Sequence, residues 1–314
     1  MKISTFSKKT DQVAIIGLGS MGMGVAKSLL REGFCTRGFD LNQSAMNEFA
    51  EAGGYAAKSA VDAVKDAQVI IFLLVNSDQC DSVLFGTESK AGDDGVKGII
   101  GGLVEGTTIM MCTTTAPSYV CELEAKLSAQ GVHLIDAPVS GGAAKALQGD
   151  MSIMASGKAE LFDACDSIFS AIAGKVFRVG DDIGAGQSVK MINQLLAGVH
   201  IAASAEAIAL GIKAGLDPDL LYEVICSSAG CSWMFENRVP NILSGDYTPK
   251  SMVDIFVKDL GIVSDSGKSM KFPLPLTATA LQQFLSASAA GHGKEDDSAV
   301  IKVFPGIDLP SQDS

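Results

Sequence analysis

The chain has 314 residues, of which 47% are hydrophobic, and a formal net charge of −12 at pH 7. A surface this acidic repels phosphate backbones, so we expect no nucleic-acid partner. The longest strongly apolar run, residues 69–75, is far shorter than the roughly 18 residues of a membrane-spanning helix, so we expect no membrane insertion.

The cysteines and histidines indicate which cellular compartment and which metal chemistry to expect. Seven cysteines occur without a CxxC pair, which is typical of reduced thiols in a cytoplasmic protein. The N-terminus is short and polar, so no signal peptide is expected there. The three histidines stand far apart and no metal-ligand spacing appears, so no metal is expected.

In chain order, the first half alternates between apolar runs and helical patterns. Residues 12–16 form an apolar strand, a helix follows Gly24 and stops near Gly33, and residues 42–53 form a second helix. This alternation predicts an α/β fold, a Rossmann domain with a doubly wound parallel sheet. Further strands are predicted at residues 34–40, 69–75, 107–111 and 133–136.

Beyond residue 182 the chain has helical patterns without a convincing strand. We therefore predict a Rossmann domain over 11–182 and an all-α C-terminal domain over 183–305, joined by a long interdomain helix, with loose termini at 1–10 and 306–314. The Ala-rich helix over residues 190–214 has more apolar surface than one small domain can cover. It predicts packing between subunits in a homodimer or homotetramer.

The first helix is preceded by a GxGxxG motif formed by Gly17, Gly19 and Gly22. Directly after a strand, this motif favours a turn that lets a dinucleotide pyrophosphate bind at the helix N-terminus. Asp40 ends the second strand, where a carboxylate accepts hydrogen bonds from ribose hydroxyls and repels a 2′-phosphate. NAD is therefore favoured over NADP, since Arg37 is expected to face the other side of its strand.

Three later segments carry polar groups suited to a reacting site. Lys190, Asn193 and Gln194 share one helix face. The consecutive Gly141 and Gly142 after Ser140 expose backbone N–H groups that suit a carboxylate. Residues 112–117 (CTTTAP) follow a strand at its carboxyl end, and Lys258 lies in an apolar helical context.

Together, residues 17–24, the DAPVSGG loop, the Lys190-x-x-Asn193 helix and the Lys258-Asp259-Leu260 segment resemble the β-hydroxyacid dehydrogenase family. The resemblance implies that Lys190 is the proton shuttle for the substrate hydroxyl. Asn193 orients the substrate or the lysine, and whether Asn193 or Gln194 contacts the substrate stays open. Asp136 is expected to buttress its loop rather than to act as a base.

The resemblance also implies the remaining contacts. The implied substrate-binding residues are Ser140, Gly141, Gly142, Gln194, Ser232 and Trp233. Phe235 and Asn237 are further candidates. For Trp233 and Phe235 the alternative is packing in the hydrophobic core. Lys258 is a cofactor contact, with an exposed Lys–Asp ion pair as the alternative. The cofactor-binding residues are Gly17, Leu18, Gly19, Ser20, Met21, Gly22, Asp40, Leu74, Val75, Thr114 and Lys258.

The implied activity is NAD-dependent oxidation of a small hydroxycarboxylate by hydride transfer. Within the family, segments 232–249 and 291–300 resemble members that act on L-threonate, which implies L-threonate as the substrate and C2 as the oxidised carbon. The alternatives within this class are 3-hydroxyisobutyrate, tartronate semialdehyde or glyoxylate, and a β-hydroxy amino acid of the phenylserine type. Imine reduction and a non-enzymatic nucleotide-binding module are more distant alternatives. The lysine at position 190 disfavours both, because proteins of either kind are expected to lack it.

Overall fold

The computed structural model describes residue 6 and residues 11–87 and 97–310. The chain divides into two compact units, Met1–Lys190 and Met191–Ser314. Most of the segments expected to be loose, 1–5, 7–10 and 311–314, lie outside the described residues. Phe6 stacks on Phe34 with ring centroids 5.8 Å apart, and its backbone N–H donates to Ala164.

The first unit alternates strands and helices, as the sequence predicts. Its strands are β1 Gln12–Ile16, β2 Cys35–Phe39, β3 Tyr55–Ala56, β4 Ala67–Phe72, β5 Thr108–Met111, β6 His133–Asp136, β7 Val139–Ser140, β8 Met151–Ser156 and β9 Ala173–Gly180. Its helices are α1 Ser20–Arg31, α2 Gln43–Glu51, α3 Ala60–Ala63, α4 Ser77–Phe85, α5 Pro117–Ser128, α6 Gly142–Gln148, α7 Ala159–Ala164 and α8 Asp166–Ile172.

The described strands form one sheet in the order β3-β2-β1-β4-β5-β6-β8-β7, with β9 also paired to β8. From β3 to β6 all pairs are parallel, which confirms the doubly wound Rossmann arrangement. The sheet then turns mixed, because β8 runs antiparallel to both β6 and β7. The sequence does not predict β3, β7, β8 or β9.

Both faces of the central strands are buried, which explains their continuous apolar runs. Along β1, Val13 and Ile15 belong to one apolar cluster and Ala14 and Ile16 to another. The first cluster packs under α1 and α8, and the second under α3, α4 and α5. The helices therefore cover the sheet on both sides and leave the strand ends to carry the polar residues.

The second unit is helical, and the division from the first falls inside one long helix, after Lys190. In the described part of the chain the helices are α9 Ala185–Lys213, which the two units share, α10 Pro218–Cys226, α11 Trp233–Ser244, α12 Val253–Ser269 and α13 Pro275–Ala287, followed by a π-helical turn Ser288–His292 and a 3₁₀ helix Asp297–Val303. By length and composition α9 is long and apolar enough to span a membrane, and half of its most apolar window is buried inside the fold.

Helices α9, α11, α12 and α13 enclose the core of the second unit, where Phe256 and Phe284 stack with ring centroids 5.2 Å apart. Ile307 and Leu309 pack against this core. The expectation of a loose tail from residue 306 therefore does not hold for these two residues, because their apolar side chains gain burial there.

Candidate active site

The glycine-rich turn joins β1 to α1. A Cβ atom at Gly17 would lie 2.4 Å from the backbone oxygen of Leu73, and one at Gly22 would lie 2.0 Å from the backbone oxygen of Gly17. At Gly19, the N-cap of α1, a Cβ would meet no protein atom within 4 Å, and α1 has no side-chain cap. The turn is therefore packed from behind and open at the helix N-terminus, which fits a dinucleotide pyrophosphate.

Asp40 follows β2 and reaches this turn. Its Oδ2 accepts a hydrogen bond from the backbone N–H of Leu18 at 2.7 Å, and its Oδ1 accepts one from Asn42 at 2.8 Å. The Arg37 guanidinium is engaged elsewhere: it donates to the backbone oxygen and Oδ1 of Asp62, both at 2.7 Å, and lies over the Tyr55 ring. A carboxylate thus stands beside the glycine turn, where a ribose would bind.

The ends of β4 and β5 border the same edge of the sheet, because β1, β4 and β5 are parallel neighbours. The backbone N–H of Leu74 donates to Thr113 Oγ1 at 2.9 Å, which joins the two strand ends. Val75 is exposed and Thr114 is half-buried. The sequence-predicted residues Leu74, Val75 and Thr114 therefore lie at the edge where ligands bind in open α/β sheets.

The Ser140–Gly142 segment links β7 to α6. Gly141 and Gly142 have φ angles of 135° and 77°, a backbone region that favours glycine. The N-terminus of α6 has no side-chain cap. Helix α6 packs closely on α1, since a Cβ at Gly24 would lie 2.7 Å from the Cβ of Ala146. The loop that the sequence predicts to bind a carboxylate is thus held beside the helix of the glycine motif.

Two side chains anchor the N-terminal turns of α9, on which Lys190 lies. Asp136 Oδ2 accepts hydrogen bonds from the backbone N–H groups of Gly184 and Gln187, each at 3.0 Å. Gln187 Nε2 donates to the backbone oxygen of Thr113 at 2.9 Å, and its Oε1 accepts from the N–H of Thr115 at 3.0 Å. Burial raises the pKa of Asp136 to about 6, although its hydrogen bonds oppose that shift.

These anchors explain why the first turns of α9 belong to the first unit. Lys190 follows Gln187 by three residues and is 6% exposed. Lys190 is therefore not a solvent-exposed surface lysine. Asp136 buttresses the helix start, as expected, whereas Gln187 is a functional candidate that sequence reasoning missed. Its partners Thr113 and Thr115 are more than 70 residues away in sequence, so no local pattern points to them.

In the second unit, the described side chains next along α9 form a hydrogen-bonded series. Asn193 Nδ2 donates to Gln194 Oε1 at 3.0 Å, and Gln194 Nε2 donates to Asp259 Oδ2 at 2.5 Å. Asp259 is 2% exposed and its Oδ1 lies 2.6 Å from Lys258 Nζ. The Lys258–Asp259 pair is thus not a fully exposed ion pair, and Gln194 uses its amide to connect Asn193 with Asp259.

The α11 residues separate into different roles. Ser232 is the N-cap of α11, since its Oγ accepts from the N–H of Phe235 at 3.1 Å. Phe235 is buried in the core, whereas Trp233 is 58% exposed, so core packing is wrong for Trp233. Asn237 Oδ1 accepts from the Arg238 guanidinium.

The two segments that favour L-threonate pair with each other inside the second unit. Arg238 forms an ion pair with Asp297, and Asn241 donates to Asp296 at 2.9 Å. Burial raises the pKa of Asp297 to about 6, against the opposing charge of Arg238. These residues hold α11 to the start of the 3₁₀ helix.

Comparison with known proteins gives consistent matches along nearly the whole chain. Residues 12–180 match the family model described as the NAD binding domain of 6-phosphogluconate dehydrogenase. Residues 184–304 match the model described as NAD-binding of NADP-dependent 3-hydroxyisobutyrate dehydrogenase.

Individual relatives are similar over their full length. The L-threonate dehydrogenase of Cupriavidus necator is 52% identical, over 96% of this chain and 98% of the relative. The L-threonate dehydrogenase of Pectobacterium atrosepticum is 48% identical, over 97% and 98%. The crystal structure of 3-hydroxyisobutyrate dehydrogenase from Salmonella typhimurium matches with a TM-score of 0.86 and 47% identity, over 94% of this chain and all of that one.

Proposed function

Because the chain belongs to the β-hydroxyacid dehydrogenase family, we propose that this NAD(P)-dependent hydroxyacid oxidoreductase oxidises L-threonate at C2 to 2-oxo-tetronate with NAD. The observation that carries the proposal is the burial of Lys190 on a helix anchored to the end of β5 through Gln187. A buried amine at an anchored position suits proton transfer to or from one substrate atom.

The proposed roles follow from the chemistry of each group. NAD, when bound, accepts the hydride that leaves the alcohol carbon. Lys190, as the neutral amine, takes the proton of the substrate hydroxyl during oxidation and returns it during reduction. The backbone N–H groups of Ser140, Gly141 and Gly142 bind the substrate carboxylate, and the positive φ angles of Gly141 and Gly142 support this role.

Among the helix residues after Lys190, we assign substrate contact to Asn193. Gln194 has both ends of its amide engaged, with Asn193 and with Asp259. Its role is then to orient the Asn193 amide, with Lys258 next in the series. Lys258 is retained as a candidate cofactor contact, and Ser232 and Trp233 as candidate substrate contacts.

The preference for NAD over NADP rests on Asp40 and Arg37. The Asp40 carboxylate is directed at the glycine turn by the N–H of Leu18, where its charge disfavours a 2′-phosphate. Arg37, the basic residue close by in sequence, is bound to Asp62. The cofactor-binding set is completed by Gly17, Leu18, Gly19, Ser20, Met21, Gly22, Leu74, Val75 and Thr114.

The choice of L-threonate rests on relatives about 50% identical over nearly the full chain. A second candidate, 3-hydroxyisobutyrate, is favoured by the name of the Salmonella typhimurium structure. The two differ in polarity: threonate has three hydroxyl groups, and a pocket that hydrogen-bonds them rejects the apolar methyl of 3-hydroxyisobutyrate.

A substrate panel separates these candidates. NADH appearance is measured with L-threonate, D-threonate, L-glycerate, L-serine and 3-hydroxyisobutyrate at equal concentrations. L-Threonate is expected to give the highest kcat/KM. A higher kcat/KM for 3-hydroxyisobutyrate would make that compound the substrate, and the protein would still be a hydroxyacid dehydrogenase.

The lysine assignment has its own test. Lys190→Ala should lower kcat at least 10²-fold, the contribution typical of one acid–base group. The Kd for NAD, measured by calorimetry, should stay within about threefold of the wild-type value, because the lysine acts on the substrate and not on the cofactor. Substantial turnover in the variant would remove Lys190 from the reaction.

We further propose that the chain forms a homodimer or homotetramer. Helices of the second unit expose large apolar side chains, among them Leu210 at 69%, Leu220 at 58% and Leu276 at 69%. Apolar surface of this kind is typical of interfaces between copies. A single monomeric species in sedimentation velocity at micromolar concentration would contradict the proposal.

We place the enzyme in the cytoplasm. The seven cysteines are all free in the described structure, which suits a reducing compartment. Fractionation of the native cells with an activity assay tests the location.

A further inference from the structure

Two cysteines and a glutamate meet where α10 leads into α11. Cys226 is the last residue of α10, Cys231 lies in the connecting loop, and Glu236 lies in the first turn of α11. One ligand atom from each, the two Sγ atoms and a carboxylate oxygen, all lie within 4.8 Å of one another. We call these three residues the cysteine–glutamate cluster.

A proline and a tyrosine hold the two helices in this arrangement. Pro240 lies inside α11 and has no N–H to donate to the backbone oxygen of Glu236, four residues earlier. The hydroxyl of Tyr222, on α10, donates to that oxygen at 3.1 Å instead. The Tyr222 ring also stacks on Phe235, with centroids 5.9 Å apart. The cluster therefore sits on a fixed contact between α10 and α11.

The cluster brings together two thiols and a carboxylate, which are all anionic ligands once the thiols are deprotonated. Arg238, two residues beyond Glu236, is committed to the buried ion pair with Asp297. A divalent cation between the three groups would stabilise both thiols in the thiolate form beside the carboxylate.

We propose that the cysteine–glutamate cluster binds Zn²⁺ through Cys226 Sγ, Cys231 Sγ and a carboxylate oxygen of Glu236. Two thiolates favour a borderline-soft ion such as Zn²⁺ over Mg²⁺ or Ca²⁺, which prefer oxygen ligands. Tetrahedral ligands at about 2.3 Å from the metal lie about 3.8 Å apart, so the cluster needs only a modest contraction. The fourth position is open to water.

Metal binding would tie the end of α10 to the first turn of α11. The loop between Cys226 and Cys231 would then be closed at both ends, directly before Ser232 and Trp233. The sequence shows the spacing as C-x4-C-x4-E, which matches no common metal motif, and only the packing of α10 on α11 brings the three residues together. The proposal does not depend on the substrate or on the role of Lys190.

The test uses the single tryptophan of the chain, Trp233, as a reporter. Full-length protein is stripped with a chelator, kept reduced with a phosphine, and titrated with Zn²⁺ while Trp fluorescence and bound metal are measured. We expect one Zn²⁺ per chain, a saturable fluorescence change, and an affinity that rises with pH because both thiols lose protons. Co²⁺ should give a thiolate-to-metal charge-transfer band.

Four variants assign the ligands. Cys226→Ser and Cys231→Ser should each weaken Zn²⁺ binding at least about tenfold, and Glu236→Gln should weaken it less, because the amide oxygen is still a ligand. Cys35→Ser removes an exposed cysteine elsewhere and should bind Zn²⁺ like wild type. Circular dichroism of each variant confirms that the helices are retained.

Two results would overturn the proposal. The first is Zn²⁺ binding of equal stoichiometry and affinity in the Cys226→Ser/Cys231→Ser double variant. The second is no Zn²⁺ binding by the reduced protein, together with loss of two thiols per chain after glutathione disulfide, which would assign the pair to disulfide formation.

Discussion

Replacing Asp136 with asparagine should remove part of the pH dependence of the protein's stability. Asp136 is fully buried and accepts hydrogen bonds from Gly184, Gln187 and the hydroxyl of Ser156. Its pKa in the folded chain is about 6, against an ordinary value of 3.8. The asparagine amide keeps one acceptor oxygen for the start of α9 but carries no charge at any pH.

The sign follows from proton linkage. Because the folded-state pKa is raised, the folded chain binds the proton more tightly than the unfolded chain between pH 3.8 and about 6. The contribution of Asp136 to stability is therefore largest below pH 3.8 and is lost as the pH rises through about 6. The full pKa shift corresponds to a contribution of about 3 kcal/mol to the free energy of unfolding. About 1.4 kcal/mol of this contribution is lost between pH 5 and pH 7.5.

Urea unfolding followed by far-ultraviolet circular dichroism measures this difference. The free energy of unfolding of the variant minus that of wild type should rise by about 1.4 kcal/mol from pH 5 to pH 7.5. Asp297, whose pKa is also raised to about 6, titrates in both proteins and cancels in the subtraction. Parallel pH profiles for the two proteins would show that Asp136 titrates normally and would refute the reasoning.

Three further predictions concern the nucleotide turn and the anchoring of α9. Gly19→Ala should leave the thermal midpoint of unfolding unchanged, because the added Cβ meets no protein atom within 4 Å. The same methyl group should block the pyrophosphate and weaken NAD binding, measured by calorimetry, at least about tenfold. Gly101→Ala, where a Cβ also meets no protein atom, is the control and should bind NAD like wild type. Asp40→Ala should raise the KM for NAD and relax discrimination against NADP, and an unchanged ratio of kcat/KM for the two cofactors would count against the ribose assignment. Gln187→Met should lower kcat about tenfold or more, because α9 loses its hydrogen bonds to Thr113 and Thr115. The substitution of an exposed glutamine, Gln43→Met, serves as the control. A wild-type kcat in the Gln187 variant would show that Lys190 does not depend on these hydrogen bonds.

Local sequence patterns determined most of the first unit. The apolar runs at β1, β4 and β5 were predicted because these strands are buried on both faces and so contain little but apolar residues. The glycine motif was predicted because its three glycines obey short-range steric demands within one turn. Strand β9 was missed because it is largely exposed and lacks an apolar run, and only the fold shows that it pairs in parallel with β8.

In the candidate site, sequence alone determined which residue types stand at helix and loop positions, such as Lys190 with Asn193 on one face. Tertiary structure alone decided their partners: Gln187 with Thr113, Gln194 with Asp259, and Tyr222 with the carbonyl that Pro240 leaves unpaired. The physical reason is range. Periodicity and glycine sterics act within a few residues, whereas a buried polar group takes whichever partner the packed chain brings to it, and that partner can be 65 or 74 residues away.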